Sequence, residues 1–218
     1  MKGFYIFLLT LTFGYNSLYA QNQDVAITQT TAATPKDNIA RLYPFAVMDV
    51  GVGVGASFER LFGQKKNLGL VLPGFLILQS NSNPATVDQN NKSYDAYFYF
   101  APGFKFYPKG HKKLTYAFGP SLMFGFCNSK FEIPGTNDKG EPITATVRYA
   151  RKRFGVLANN YVTLEFGKYF DIGLEGGLGV CYFDRESYKG PEFYPGDPSK
   201  NKGVDITGQF SLSIGYKF

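Results

Sequence analysis

From about residue 38 onward, apolar residues recur at every second position, with small or polar residues between them. That period of two is the mark of a β-strand whose two faces meet different surroundings. The last stretch is the clearest. Val204, Ile206, Phe210, Leu212, Ile214, Tyr216 and Phe218 share one face, interrupted only by Gly208, and Asp205, Thr207, Gln209, Ser211, Ser213 and Lys217 take the other. The same alternation places Ile172, Leu174, Leu178 and Val180 opposite Asp171, Gly173, Glu175 and Gly179. It places Phe154, Val156, Val162, Leu164 and Phe166 opposite Arg153, Asn159, Thr163 and Glu165. Further strands are predicted around Leu114–Phe126, Tyr94–Phe106 and Val50–Phe58. Leu68 to Leu78 is apolar on both faces, and Ile39 to Val47 is ambiguous.

One face of these strands is almost free of charge over a height comparable with a bilayer, while the other carries Gly, Ser and ionic residues. A soluble ligand-binding barrel would reverse this, with its oily residues inside. An oily exterior around a lumen of small and ionic groups is what a lipid-exposed barrel needs. The expected fold is therefore all-β, an eight-stranded antiparallel up-and-down transmembrane β-barrel. Short connections fall at Gly63–Asn67, Pro108–Lys112 and Lys168–Phe170, and long polar ones at Gln79–Lys92, Asn128–Lys152 and Asp184–Gly203. Short periplasmic turns, long outer loops and an even strand number require Ile39–Val47 as the first strand, with a tight turn near Met48–Asp49. Five residues fit badly: Pro44, Pro73, Pro102 and Pro120 inside strands, where each lacks a ladder N–H, and Asn160 on the oily face.

The chain before this pattern reads differently. Lys2, the apolar run Phe4–Phe13 and the small-residue end at Ala20 have the form of a signal peptide. This gives residues 1–20 as export signal, 21–37 as a flexible periplasmic leader and 38–218 as the barrel. Gly14, Tyr15 and Asn16 stop the run short of the roughly 20 apolar residues of a spanning helix. Charged residues make up 18% of the chain and aromatics 17%, a mixture that favours sheet over disorder. The net charge of +6 is not organised into a nucleic-acid-binding motif; anionic lipid head groups are an equally economical partner. Cys127 and Cys181 lack metal-ligand spacing, and neither a metal nor a cofactor is expected.

Parity places Arg41, Glu59, Lys105, Glu165, Glu175 and Lys217 inside, in the periplasmic half of the lumen. Like charges confined there need partners, so an ion-pair network is expected, acting as a plug or as a gate. Arg148, Arg151, Lys152 and Arg153 form a basic cluster where the third long loop re-enters the membrane. Contact with lipopolysaccharide phosphates is one reading of it, and an ordinary solvated face is the other. His111, the one histidine, falls in a periplasmic turn away from any lipid-facing serine, which argues against catalysis.

The ending Phe210-x-Leu212-x-Ile214-x-Tyr216-x-Phe218 resembles the closing strand of outer-membrane barrels. The chain as a whole looks most like the small OmpA/OmpX-like and OmpW-like barrels. That resemblance implies residence in the bacterial outer membrane and recognition of the last strand by the barrel-assembly machinery. A non-enzymatic role, structural or in binding an envelope protein partner, is the first expectation. A small-solute channel gated by the lumen ions is the second, and a lipid-modifying enzyme the third.

Overall fold

The computed structural model describes residues 37–218 except positions 50, 64, 82–92, 137–139, 191–199 and 202. The expected export signal, and the expected leader up to residue 36, lie outside the described residues. The strands are β1 (Asn38–Met48), β2 (Gly51–Phe62), β3 (Leu68–Asn81), β4 (Ser93–Phe100), β5 (Gly103–Phe106), β6 (Leu114–Thr136), β7 (Pro142–Phe166), β8 (Phe170–Lys189), β9 (Lys200–Asn201) and β10 (Asp205–Lys217). All pairings are antiparallel between neighbours, and β10 pairs with both β8 and β1, which closes the ring. β4 and β5 share one place between β3 and β6, and the two-residue β9 pairs only with the top of β8. Ten segments thus fill eight positions. Among the described residues no helix is long and apolar enough to cross a membrane.

Alternation is realised strand by strand. On β6, Thr115, Ala117, Ser121, Met123 and Cys127 are buried, while Leu114, Tyr116, Phe118, Leu122 and Phe126 are exposed. Leu42 is 66% exposed, Phe104 58% and Leu178 51%, so the oily face points out of the ring. Leu114 to Phe126 covers roughly 40 Å of strand at about 3.3 Å per residue. Tilted as outer-membrane strands are, that is a band roughly 30 Å tall, close to the apolar height such barrels present to lipid. Soluble monomers seldom expose more than a few hundred Å² of contiguous apolar surface. Here the belt runs around every strand.

The expected loop at Asn128–Lys152 is largely strand, and the one at Asp184–Gly203 begins as strand. β6 and β7 continue as a paired ribbon from Asn128↔Ala150 to Thr136↔Pro142, and β8 runs on to Lys189. The polar composition that suggested loops at Asn128–Lys152 and from Asp184 onward instead marks strand beyond the belt, whose outer face is exposed and whose inner face buries Val147, Tyr149, Asp184 and Glu186. The segment expected as the loop Gln79–Lys92 lies, after β3, outside the described residues.

The misfits have local explanations. Pro44 sits in a bulge of β1, where the register with both β10 and β2 shifts. Pro102 lies in the break between β4 and β5. The Pro73 carbonyl accepts from the Ala101 N–H at 3.1 Å, and the Pro102 carbonyl accepts from the Leu122 N–H at 2.9 Å. A residue's N–H and C=O point to the same side of its strand, so Pro73 and Pro120 both turn their missing donor toward that break. Three prolines therefore share one interruption. Asn160, on the oily face, accepts a 2.6 Å hydrogen bond from the Tyr116 hydroxyl, and each supplies the other's polar partner away from water. Asp49 adopts φ of 54° and Gly167 of 68°, the left-handed backbone that allows the tight β1–β2 and β7–β8 turns.

Candidate functional site

The six expected lumen residues are all on the inner face of their strands, joined by Asp171 and three tyrosines. Glu59, with no exposed surface, is the hub. It accepts from the Arg41 guanidinium, from the Tyr107 hydroxyl and, at 3.2 Å, from the Lys105 ammonium. Arg41 also reaches Asp171 from Nε at 3.3 Å. Lys105 lies 3.5 Å from Glu175 Oε1 and 4.1 Å from the centre of the Tyr161 ring. Tyr43 donates to Glu175 at 3.1 Å and touches Ser57 at 2.9 Å. Lys217 pairs with Glu165 and stands 3.8 Å from Asp171. Glycine makes room for these acids. A Cβ at Gly69 would collide with the Glu59 carboxylate, and one at Gly215 with that of Asp171.

Above this tier the lumen holds, beside small polar groups such as Ser121 and Asn159, a large apolar cluster, which corrects the expectation of small and ionic groups alone. Tyr43, Phe75, Ile77, Tyr99, Met123, Leu157 and both cysteines belong to one buried cluster. Tyr43 and Phe75 pack with ring centres 5.0 Å apart. Cys127 and Cys181 are both free thiols, on β6 and β8 with β7 between them.

A second ionic tier caps the cluster. Arg151 forms a two-point contact with Asp184, with Nε 2.7 Å from Oδ1, and lies 3.5 Å from Glu186. Arg153 binds Asp49, which also accepts from Thr207 at 2.7 Å and from Tyr99 at 3.2 Å. Tyr149 donates to Glu186 at 3.1 Å and packs against Tyr188.

The basic cluster expected at 148–153 therefore divides. Arg151 and Arg153 point inward and are bound to acids, and Arg148 and Lys152 point outward and are exposed. Consecutive strand residues alternate between faces, so four neighbours in sequence cannot form one surface. The sequence reading also missed Asp49, Asp171, Asp184 and Glu186. Asp171, Tyr43 and Tyr107 were visible in the odd-numbered parity. Asp184 and Glu186 were not, because a bulge opposite Phe154/Gly155 reverses the parity of β8 beyond Cys181.

Phe210, Ile214, Tyr216 and Phe218 of the expected assembly signal are exposed on the outer face of β10 and its end, and Leu212 is half-buried there. Tyr216 stacks on Tyr169 and Phe218, with ring centres 6.1 Å apart in each pair. His111 is less solvated than a turn residue usually is. Its Nε2 lies 3.1 Å from the Lys66 carbonyl, and its ring packs 4.4 Å from that of Tyr107. Among the described residues no group of His, Cys, Asp and Glu is placed to hold a metal.

No family profile matches the chain, and no curated protein matches it. Among solved structures it is similar to a major outer membrane protein from Thermus thermophilus, with a TM-score of 0.60 and 9% identity over 85% of this chain and all of that one. The CarO protein of Acinetobacter baumannii aligns with a TM-score of 0.41 and 12% identity, over 85% of this chain and 98% of that one. The N-terminal barrel domain of Pseudomonas aeruginosa OprF gives 0.35 at 12% identity, over 85% of this chain and all of that one. At such identities the first likeness is one of fold. This chain has the fold of a small outer-membrane β-barrel protein.

Proposed function

We propose that this chain is an integral outer-membrane protein whose closed barrel has a structural or partner-binding role and does not conduct. The observation that carries this reading is the filled lumen. Tyr43, Tyr99, Ile77, Met123 and Leu157 are each at most 2% exposed, between two tiers of paired charge. An eight-stranded barrel is just wide enough to be filled by its own side chains. The apolar belt supports residence in lipid, and the likeness to an outer membrane protein supports which membrane that is. The runner-up, a small-solute channel gated by the Lys105–Glu59–Glu175 ions, would need the apolar cluster to part as well. A lipid-modifying activity draws little support from His111, which is held at the periplasmic rim by Lys66 and Tyr107.

The test is single-channel recording of the refolded barrel in planar bilayers. Silence is expected from the wild type and from Lys105→Met. Unit conductance steps from the wild type would overturn the closed reading. Openings that appear only in Lys105→Met would favour the gate.

A further inference from the structure

The outward side of β7 crosses the belt from Phe154 to Phe166, and Asn160 stands at its centre. Phe154, Val156 and Ala158 lie above it on that face, and Val162, Leu164 and Phe166 lie below. About 20 Å of strand separates Asn160 from either end, so in a bilayer its exposed side chain lies near the middle of the hydrocarbon. Tyr116 Oη donates to Asn160 Oδ1 at 2.6 Å. This pair carries three polar hydrogens, one on the hydroxyl and two on the amide. Their mutual contact uses one of them, whichever way the amide is turned. Among the described residues nothing accepts the other two. Two donors are thus left at the depth farthest from water and head groups, where a polar group without a partner is strongly disfavoured.

The surroundings leave this amide within reach of a second surface. Ala158 is small, and Gly176, the ladder partner of Asn160 on β8, points outward where an added Cβ would meet nothing within 4 Å. Acyl chains offer no acceptor here, but a second copy of the chain does. Two copies inserted with one orientation are related by a two-fold axis along the membrane normal, and a residue on that axis meets itself at the same depth. A carboxamide is its own complement, because it both donates and accepts, and Oδ1 has a second lone pair beside the one that Tyr116 uses. Packed sheets lie about 10 Å apart, a distance that two Asn side chains span through a hydrogen bond of about 2.9 Å. We propose that the outer face of β7 and β8 is a self-association surface, on which two copies pair in the bilayer with Asn160 against Asn160. The inference rests on the membrane reading above and goes beyond it by naming a partner.

The experiment reconstitutes the refolded full chain in phosphatidylcholine vesicles. Pairing is read as energy transfer between donor- and acceptor-labelled copies while added lipid dilutes them. Asn160→Leu should weaken association at least about fivefold. Tyr116→Phe, which keeps the carboxamide, should change it less than about twofold. Heat-modifiable gel mobility checks folding, and Asn160→Leu/Tyr116→Phe, which strands no hydroxyl, serves if the single variant does not fold. Disulfide trapping locates the face. Ala158→Cys should give a covalent dimer on oxidation, whereas Ala56→Cys, outward on β2 across the ring, should not. Cys127 and Cys181 are buried in the lumen and cannot join two copies. Energy transfer unchanged by Asn160→Leu, or equal trapping at Ala56→Cys, would overturn the proposal. Flotation separates the two levels: a wild type that fails to float with the vesicles refutes the membrane reading, and one that floats as a monomer at every dilution refutes only the pairing.

Discussion

Lys105→Met is the sharpest perturbation of the lumen, because its consequence depends on which acid loses its cation. Lys105 is 2% exposed and lies 3.2 Å from Glu59 and 3.5 Å from Glu175. At an effective dielectric constant of about 20, each contact is a gross attraction of about 5 kcal/mol, largely offset by the desolvation of both partners. Glu59 keeps Arg41 and the Tyr107 hydroxyl after the substitution. Among the described residues, Glu175 then keeps only the hydroxyl of Tyr43. Removing one member of a buried pair typically costs about 3–5 kcal/mol, and the Tyr43 bond places this loss near the lower end. The chain has no Trp, so urea unfolding in lipid vesicles is followed by tyrosine fluorescence and by the mobility of the folded band. Glu175→Gln on the Lys105→Met background should restore part of the loss, with a coupling of about 1–3 kcal/mol. Glu165→Gln should not, because Glu165 belongs to Lys217, and its effect should add to within about 0.5 kcal/mol. A neutral Lys105→Met, or equal rescue by Glu165→Gln, would refute the network as described.

Leu174→Arg, in mid-belt between Val162 and Leu212, should lose about 2–4 kcal/mol in vesicle unfolding. Thr146→Arg, outward but above the belt, should stay within about 0.5 kcal/mol; equal losses would mean the belt is misplaced. Cys127 and Cys181 should both react with a thiol reagent after denaturation without reductant, since a strand separates them and two strand spacings of about 4.8 Å exceed disulfide reach; a protected pair would contradict the strand order. His111 is held below its ordinary value of 6.5, chiefly by burial and then by the charge of Lys217. The unfolded chain therefore takes the proton first, so stability should be full above about pH 6.5 and fall as the pH drops through that value. His111→Gln should flatten that slope, as read from urea midpoints between pH 7.5 and 5.

Much of this architecture was legible in the sequence because lipid outside and ions inside impose opposite demands on alternate residues. That contrast placed Arg41, Glu59, Lys105 and Glu175 on the inner face without any knowledge of partners. It could not say who pairs with whom, which depends on axial height and hence on register. The apolar cluster was hidden for a different reason. Tyr43, Phe75, Ile77 and Met123 carry no polar signature to separate an inward apolar residue from an outward one, and in β3 both faces are apolar. The outward place of Arg185 and Lys189 was hidden by the bulge in β8, since one extra residue moves Asp184 inside and Arg185 outside. Composition also misled at Asn128–Lys152, where a water-exposed ribbon and a loop have similar residues.

The meeting of β1 with β10 has a consequence for how the barrel comes into being. Thr136 faces Pro142 across a local hairpin, whereas Arg41 faces Gly215, nearly thirty times farther along the chain. Loop-closure entropy grows only logarithmically, so the distant pairing is harder by just about 3 kcal/mol, a small handicap at equilibrium and a large one in time. Hairpins zip first, and the curling sheet waits with two raw margins, β1 kinked at Pro44 and β10 unbroken. Neither margin can rest in hydrocarbon with its amides unpaired. On the proposed membrane reading, sealing the cylinder and entering the bilayer are coupled, because only the closed ring leaves no unpaired amide edge in hydrocarbon.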